Sequence, residues 1–311
     1  MEKQKIIVVV GPTAAGKTAL GIKLAEHFNG EVVSADSMQV YKNMPIASAV
    51  VTKEEMGDIP HHLVGILEPT EKFSVAEFIK LAQNAISDIV NRGKMPIIVG
   101  GTGLYIDSLI NGIDFLQEDC SKVREQLEKR AEQEGIEALF DELKGIDPKA
   151  AEKLHLNDKK RIIRALEVYY IHGKTMTELN LDSKKNGAKY EPLFIGITYF
   201  DRELLYERIN RRVDIMLKNG LLDEAKAAYL GNAGKTAVQA IGHKELFPYF
   251  EGEKTLDEAL ETLKAETRRY AKRQLTWFRR NENINWIYAD KTDDSVCKAI
   301  EILEREGTRF E

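Results

Sequence analysis

The chain has 311 residues, of which 43% are hydrophobic and 31% charged; that suits about two lobes, or one lobe with an insertion, and excludes disorder by composition. Its two cysteines, Cys120 and Cys297, form no C-x-x-C pair, which argues against a zinc knuckle or a disulfide framework. The formal net charge of −5, taken alone, argues against a nucleic-acid partner, although it says nothing of how the charge is placed.

Met1–Lys5 runs straight into the apolar stretch Ile6–Val10, without signal-peptide architecture. That stretch is far below the ~20 residues a membrane helix needs, so the expectation is a soluble, cytoplasmic protein with no membrane partner. Its continuous β-branched character predicts a strand buried on both faces. Gly11 to Thr18 follows, then a helix over 19–28 with Leu20, Leu24 and Phe28 at helical spacing. Val32–Ser34 and Leu63–Leu67 read as further strands. Ser74 is predicted to cap a helix through Val90, with Glu77 completing a capping box and Phe78, Leu81, Ala85 and Ile89 as its apolar stripe. Pro96–Val99 is another buried strand, ending in Gly100-Gly101. Strand and helix alternating at this spacing predict parallel crossovers.

The pattern changes near residue 115. From Ser121 to Leu179 there is no convincing strand, only short helical patterns broken by Gly135, Gly145–Pro148 and Gly173. Strand character returns over Leu193–Tyr199, helical pattern over Glu203–Tyr229 and Leu256–Arg280, and a last strand over Asn285–Tyr288. The expected architecture is an α/β phosphate-loop core with a parallel sheet (1–115 and 190–311), interrupted by an all-helical insertion (116–189).

Gly11-Pro12-Thr13-Ala14-Ala15-Gly16-Lys17-Thr18 fits G-x-x-x-x-G-K-S/T between a buried strand and an amphipathic helix, the context that makes this motif credible. Its backbone N–H groups and the helix N-terminus suit phosphate oxygens, Lys17 adds a point charge, and Thr18 can ligate Mg²⁺. The motif binds a di- or triphosphate without saying which. No N-K-x-D base-reading motif is present, and the strand ending at Gly100-Gly101-Thr102 carries no terminal acid. The acid at a strand end is instead Asp36, where ligands of open α/β sheets bind. One reading makes it a turn cap with Ser37. The other makes it a base that deprotonates a nucleophile attacking beside the phosphate.

The chain resembles the tRNA dimethylallyltransferases, or isopentenyl-tRNA transferases. The likeness rests on GPTAAGKT (11–18), SADSMQVY (34–41), HHL (61–63), FSVAEF (73–78), IIVGGTGLYI (97–106), NDKKRIIRALEV (157–168), GKTMTEL (173–179), AIGHKE (240–245) and TRRYAKRQLTWFRR (267–280). It implies that dimethylallyl diphosphate lies in the phosphate loop with Mg²⁺. The acceptor would be N6 of the adenosine just 3′ of the anticodon, flipped from its stack. On this likeness Asp36 is the general base, Thr102 positions the catalytic group or substrate, and Lys17, Thr18 and Arg208 stabilise the departing diphosphate. It also assigns tRNA contacts to Asp36, Ser37, Met38, Gln39, Thr102, Arg124, Lys160, Arg161, Ile162, Ile163, Arg164, Val238, Gln239, Ala240, Ile241, Gly242, His243, Lys272, Arg273 and Arg279. The insertion would grip the anticodon stem-loop, and the chain would act as a monomer.

Residues 262–280 hold seven Lys or Arg against Glu266, a local net of +6, so the overall −5 hides segregated charge. Trp277 and Phe278, interleaved with these cations, read as core. His61-His62 reads as structural, because adjacent side chains make a poor metal pair. Some positions depart from the family pattern: Lys42 for Arg, Ala47–Val51 for Gly-Thr-Ala-Lys-Pro, Gly65 for Asp and His243 for Tyr. With two cysteines the chain has no C-terminal zinc finger of the kind eukaryotic relatives add. The competing readings are an isopentenyltransferase acting on free AMP or ADP, a small-molecule kinase, and a non-enzymatic RNA-binding module.

Overall fold

The computed structural model describes residues 3–112, 121–185, 189–232 and 240–307. The chain divides into two units, Met1–Leu109 with Tyr190–Glu311, and Ile110–Lys189. The first unit is built on a six-stranded sheet in which every pairing is parallel, ordered β3-β2-β4-β1-β5-β6. Its strands are β1 (Gln4–Val10), β2 (Gly30–Ser34), β3 (His61–His62), β4 (Met95–Gly100), β5 (Tyr190–Thr198) and β6 (Asn285–Tyr288). β1 lies in the middle, Val8 registering with Ile98 on one side and Phe194 on the other. Ile6 to Val10 are wholly buried, as a strand covered on both faces requires.

The first half of the chain supplies α1 (Lys17–His27), α2 (Lys53–Met56), α3 (Val75–Asn91) and α4 (Gly103–Asn111). α3 starts at the expected capping box, Ser74 and Glu77 each bonding the other's backbone N–H. Its buried face is Phe78, Ile79, Ala82, Ile86 and Ile89, rotated from the expected Phe78, Leu81, Ala85 and Ile89. Apolar residues flank that face on both sides, and the isoleucines are the ones turned inward as α3 packs on β2 and β4. The strand expected over Leu63–Leu67 is not there. Pairing ends at His62 because Leu63 takes φ 63° and Gly65 φ 59°, and Leu67 makes only an isolated bridge to Tyr41.

The second unit is α5 (Ser121–Gln133), α6 (Ile136–Ile146), α7 (Pro148–Ala151), α8 (Lys159–His172) and α9 (Met176–Lys185), with no strand among its described residues. Leu127, Leu139, Leu143, Ile162, Ile163 and Leu166 form its own core. The buried Asp147 locks two of its helices: it accepts from Ala150 N at 3.1 Å, Thr177 N at 3.0 Å and Thr177 Oγ1 at 2.6 Å.

The first unit then resumes with α10 (Arg202–Lys218), α11 (Leu221–Ala227), α12 (Phe247–Phe250), α13 (Leu256–Phe278) and α14 (Ser295–Arg305). The helical pattern over Glu203–Tyr229 breaks at Gly220, whose φ of 99° no continuing helix accommodates. α14 is capped by Asp294 and contributes Ala299, Ile302 and Leu303 to the sheet core. No helix among the described residues is long and apolar enough to cross a membrane.

Candidate active site

The carboxyl ends of β1, β2 and β4 lie side by side at one edge of the sheet, so the turns that follow them are neighbours. After β1, Gly11 adopts φ 149°, and a Cβ there would run into the carbonyl of Ile197 on β5. Only glycine lets the phosphate loop pass so close to the sheet. Lys17 folds back over the loop, Nζ donating to Pro12 O at 2.8 Å. Burial of the ammonium and the nearby Arg212 guanidinium lower its pKa to about 8, with Asp36 acting in the opposite sense. Thr18 leaves its side chain exposed at the start of α1.

Arg208 on α10 reaches the same loop. Its Nε donates to Ala14 O at 3.0 Å, and its guanidinium lies 5.3 Å from the Tyr199 ring centre. One turn later Arg212 faces the loop too. Burial lowers the pKa of its guanidinium, while Asp36 and Glu55 act to raise it. No described group accepts a hydrogen bond from Arg212, and a half-buried, unpaired guanidinium is a site prepared for an anion. Sequence reasoning missed it, although its i, i+4 spacing from Arg208 carried the signal.

Asp36 follows β2. Ala35 N donates to Val99 O at 2.8 Å and Thr102 N to Ala35 O at 3.3 Å, which lashes this turn to the end of β4. Asp36 Oδ1 accepts from Met38 N at 2.8 Å and Gln39 N at 3.3 Å. The capping reading therefore holds for one carboxylate oxygen. The carboxylate is also close enough to Lys17, Arg212, Tyr105 and Tyr270 to influence their titration, so it shares the loop's electrostatic field. Both readings of Asp36 are compatible, one per oxygen. Thr102 Oγ1 accepts from Ser37 N at 3.3 Å, and the Tyr270 phenol of α13 lies near enough to Thr102 for its titration to be affected. Burial pushes that phenol well above its ordinary range. Ser37, Met38 and Gln39 are half-buried. Gln39 Nε2 donates to Ser48 O and Ala49 O, both at 3.4 Å, holding the loop that departs from the family pattern.

The other residues expected to touch RNA differ in exposure. His243 is fully buried, with Nε2 2.9 Å from Glu224 Oε1. The same Glu224 carboxylate accepts from Ile46 N at 2.8 Å and Ala47 N at 2.9 Å. Two departures from the family pattern, the Ala47–Val51 run and His243, thus meet at one carboxylate, and the His243 side chain is packing rather than surface. Ala240 and Gly242 are buried and Ile241 is half-buried. Val238 and Gln239 lie outside the described residues.

In the helical unit, Ile162 and Ile163 belong to the core, so their side chains do not form a surface for RNA, although Ile163 also lines a cavity of about 930 Å³. The polar part of that cavity wall includes Arg124, Lys153, Lys159, Lys160, Arg161 and Arg164. Beneath it, the fully buried Glu167 accepts from Arg124 Nη2 at 2.8 Å and Arg164 Nη1 at 3.0 Å through one oxygen. Two guanidiniums from different helices are thereby fixed side by side.

The cations of α13 divide as well. Lys264 pairs with Asp214 at 3.0 Å and Glu261 at 3.2 Å, Arg269 pairs with Glu266, and Arg268 donates to Asn210 at 2.6 Å. Lys272, Arg273 and Arg279 are exposed and pair with no described acid. The formal +6 overstates the free charge, because acids from α10 and from the preceding turn neutralise part of it. Phe278 is core; Trp277 is half-buried, its Nε1 donating to Asp107 at 2.8 Å. His62 meets the buried Glu31 at 2.7 Å in a cluster with Arg92 and Lys94, and His61 Nδ1 lies 2.9 Å from Ile59 O. Both histidines are structural.

Among the described residues no group of three or more His, Cys, Asp or Glu offers a metal cage. Mg²⁺ asks for less: it keeps waters and is held by one or two protein oxygens plus phosphates. An exposed Thr18 hydroxyl beside an anion site fits that donor set.

The family model for IPP transferase matches residues 39–281, and one described as isopentenyl transferase matches 4–61. A tRNA dimethylallyltransferase of Caldanaerobacter subterraneus subsp. tengcongensis is 51% identical over 292 residues, covering 92% of each chain. One from Bacillus subtilis is 47% identical, covering 99% of this chain and 98% of the other. Among solved structures, the tRNA isopentenylpyrophosphate transferase of Bacillus halodurans superposes with a TM-score of 0.71 at 45% identity, covering 98% of this chain and 96% of the other. A eukaryotic dimethylallyltransferase acting on tRNA superposes with a TM-score of 0.81 at 32% identity, covering 97% and 79%.

Proposed function

The chain belongs to the IPP transferase family, and from that premise we propose that it transfers a dimethylallyl group from dimethylallyl diphosphate to N6 of the adenosine 3′ of the anticodon in tRNA. The observation that carries the reading is the convergence of an anion-binding loop and an acid-bearing turn at one sheet edge, with Asp36 in the field of Lys17 and Arg212.

The loop's N–H groups, the Lys17 ammonium and the guanidiniums of Arg208 and Arg212 hold the diphosphate. Their role grows as the C1–O bond of the allyl group breaks and charge collects on the leaving oxygen, which is where preorganised donors act most strongly. N6 attacks C1, and its proton passes to the Asp36 oxygen that does not cap the turn. Thr102 steadies that turn through Ser37. Thr18 would hold Mg²⁺, which when bound supplies charge neutralisation to the diphosphate. The exposed cations of α13 and the cation-lined helical unit bind the phosphates of the anticodon stem-loop. The enzyme acts as a monomer in the cytoplasm.

The relatives' names favour tRNA over free AMP or ADP, and prenyl over phosphoryl transfer. The test is incubation of labelled dimethylallyl diphosphate with undermodified tRNA, with AMP and with neither, then the same set with labelled ATP. Label in tRNA alone is expected. Prenyl-AMP or phosphoryl transfer refutes the proposal.

A further inference from the structure

Gln274 of α13 is 5% exposed. Its Oε1 accepts from Thr13 N at 2.8 Å, and its Nε2 donates to Gly101 O at 3.0 Å. One side chain therefore ties the phosphate loop after β1 to the turn after β4. Only an amide serves both ends. A carboxylate would set an oxygen against the Gly101 carbonyl, and a hydrocarbon would leave Thr13 N–H without its partner. A Cβ on Gly101 would come within 2.2 Å of the Gln274 amide nitrogen, so glycine here leaves room for the contact. Next to Gly101, Thr102 N donates to Ala35 O at 3.3 Å, and Thr102 Oγ1 accepts from Ser37 N at 3.3 Å. Hydrogen bonds thus link Thr13 through Gln274 to the turn after β4, and that turn to the two residues flanking Asp36.

We propose that Gln274 is a positioning residue: it sets the separation between the diphosphate loop and the Asp36 turn. The inference rests on the reading that the loop holds the prenyl donor and Asp36 takes the acceptor's proton. Gln274 binds loop backbone instead of substrate, so it acts on the transfer step and leaves both affinities nearly intact. Transfer needs C1 and N6 in near-attack geometry, and a misplacement of about 1 Å costs ~100-fold in rate. The Thr13 N–H is already committed to Gln274, so losing the strut takes no donor away from the diphosphate.

The test uses the full chain with Gln274→Met, which keeps the volume and removes both bonds, and Gln274→Glu, which keeps only the acceptor. Four quantities are measured: the single-turnover prenylation rate at saturating tRNA and donor, the Kd for tRNA, the Kd for inorganic pyrophosphate, and hydrogen exchange of the Thr13 amide. Both variants should lose roughly 30- to 100-fold in rate with both Kd values within about 3-fold of wild type. Gln274→Met should exchange the Thr13 amide faster. A Gln274→Met rate within about 3-fold of wild type overturns the proposal, as does a loss confined to either Kd. If Gln274→Met does not fold, Gln274→Glu carries the test: a rate roughly 30- to 100-fold lower with unchanged Kd values supports the strut, and an unchanged rate overturns it. Failure of the wild-type enzyme to prenylate would refute the proposed reaction instead; the strut would then stand or fall on the Thr13 exchange rate, which is independent of turnover.

Discussion

Replacing Asp36 separates its two oxygens. In Asp36→Asn, Oδ1 still accepts from Met38 N and Gln39 N, at 2.8 and 3.3 Å in the wild type, so the turn persists. What is lost is the oxygen that takes the proton. General-base assistance contributes ~10²–10⁴ in rate, which is about 2.7–5.4 kcal/mol of barrier. In Asp36→Ala both turn bonds go as well, and at about 0.5–1.5 kcal/mol each the fold should lose a further ~1–3 kcal/mol. The carboxylate also raises the pKa of Lys17 from its otherwise lower position, so its removal brings Lys17 below about 8. The comparison therefore belongs at pH 7 or below, where the ammonium remains charged. Rapid-quench single-turnover prenylation with saturating tRNA measures the barrier, and urea unfolding measures the turn. Asn should fall at least ~100-fold in rate with near wild-type stability and tRNA affinity within a few-fold; Ala should fall as far and unfold at lower urea. An Asn variant within tenfold of the wild-type rate refutes the base assignment. Equal stabilities for Asn and Ala refute the capping role.

Lys17 supplies a pH dependence. Its pKa in the free enzyme is about 8, lowered chiefly by burial, so the ammonium that attracts the donor is present below that value and lost above it. Affinity for dimethylallyl diphosphate should fall as pH rises from 7 to 9, bending near 8, and Lys17→Arg, which keeps its charge, should flatten the curve; a flat wild-type curve contradicts the assignment. Lys272→Glu with Arg273→Glu removes two exposed cations that have no described acidic partner. The slope of log K for tRNA against log salt should become shallower by ~1.4–1.8, and an unchanged slope shows that this face does not meet the phosphate backbone.

Much of this protein was determined locally. Ile6–Val10 reads as a strand buried on both faces because a β-branched run with no polar position has no solvent side. The phosphate loop is legible because its glycines, lysine and threonine are contiguous, and the Ser74–Glu77 capping box because both partners lie within one turn. Local pattern misled where backbone conformation broke it. Leu63–Leu67 is apolar enough for a strand, yet a left-handed Leu63 ends the pairing. The short α2, α7 and α12 span four residues each, too few for a helical period to show.

Which charges are neutralised and which are free is set by contacts between elements distant in sequence. By sequence the seven cations of residues 262–280 are alike; in the fold, acids on α10 and on α13 itself claim Lys264 and Arg269, while Lys272, Arg273 and Arg279 pair with no described acid. Ile162, Ile163 and His243 lie in segments expected to touch tRNA, yet burial turns all three side chains inward. Arg212 lies in none of the family strings and Gln274 lies in one read for its cations; they matter because α10 and α13 bring them to loops about 170 residues or more away in sequence. Sequence records residue types at fixed spacing along one element. Ion pairing and strut formation are set by distances between elements, and those exist only after the sheet has brought its carboxyl ends together.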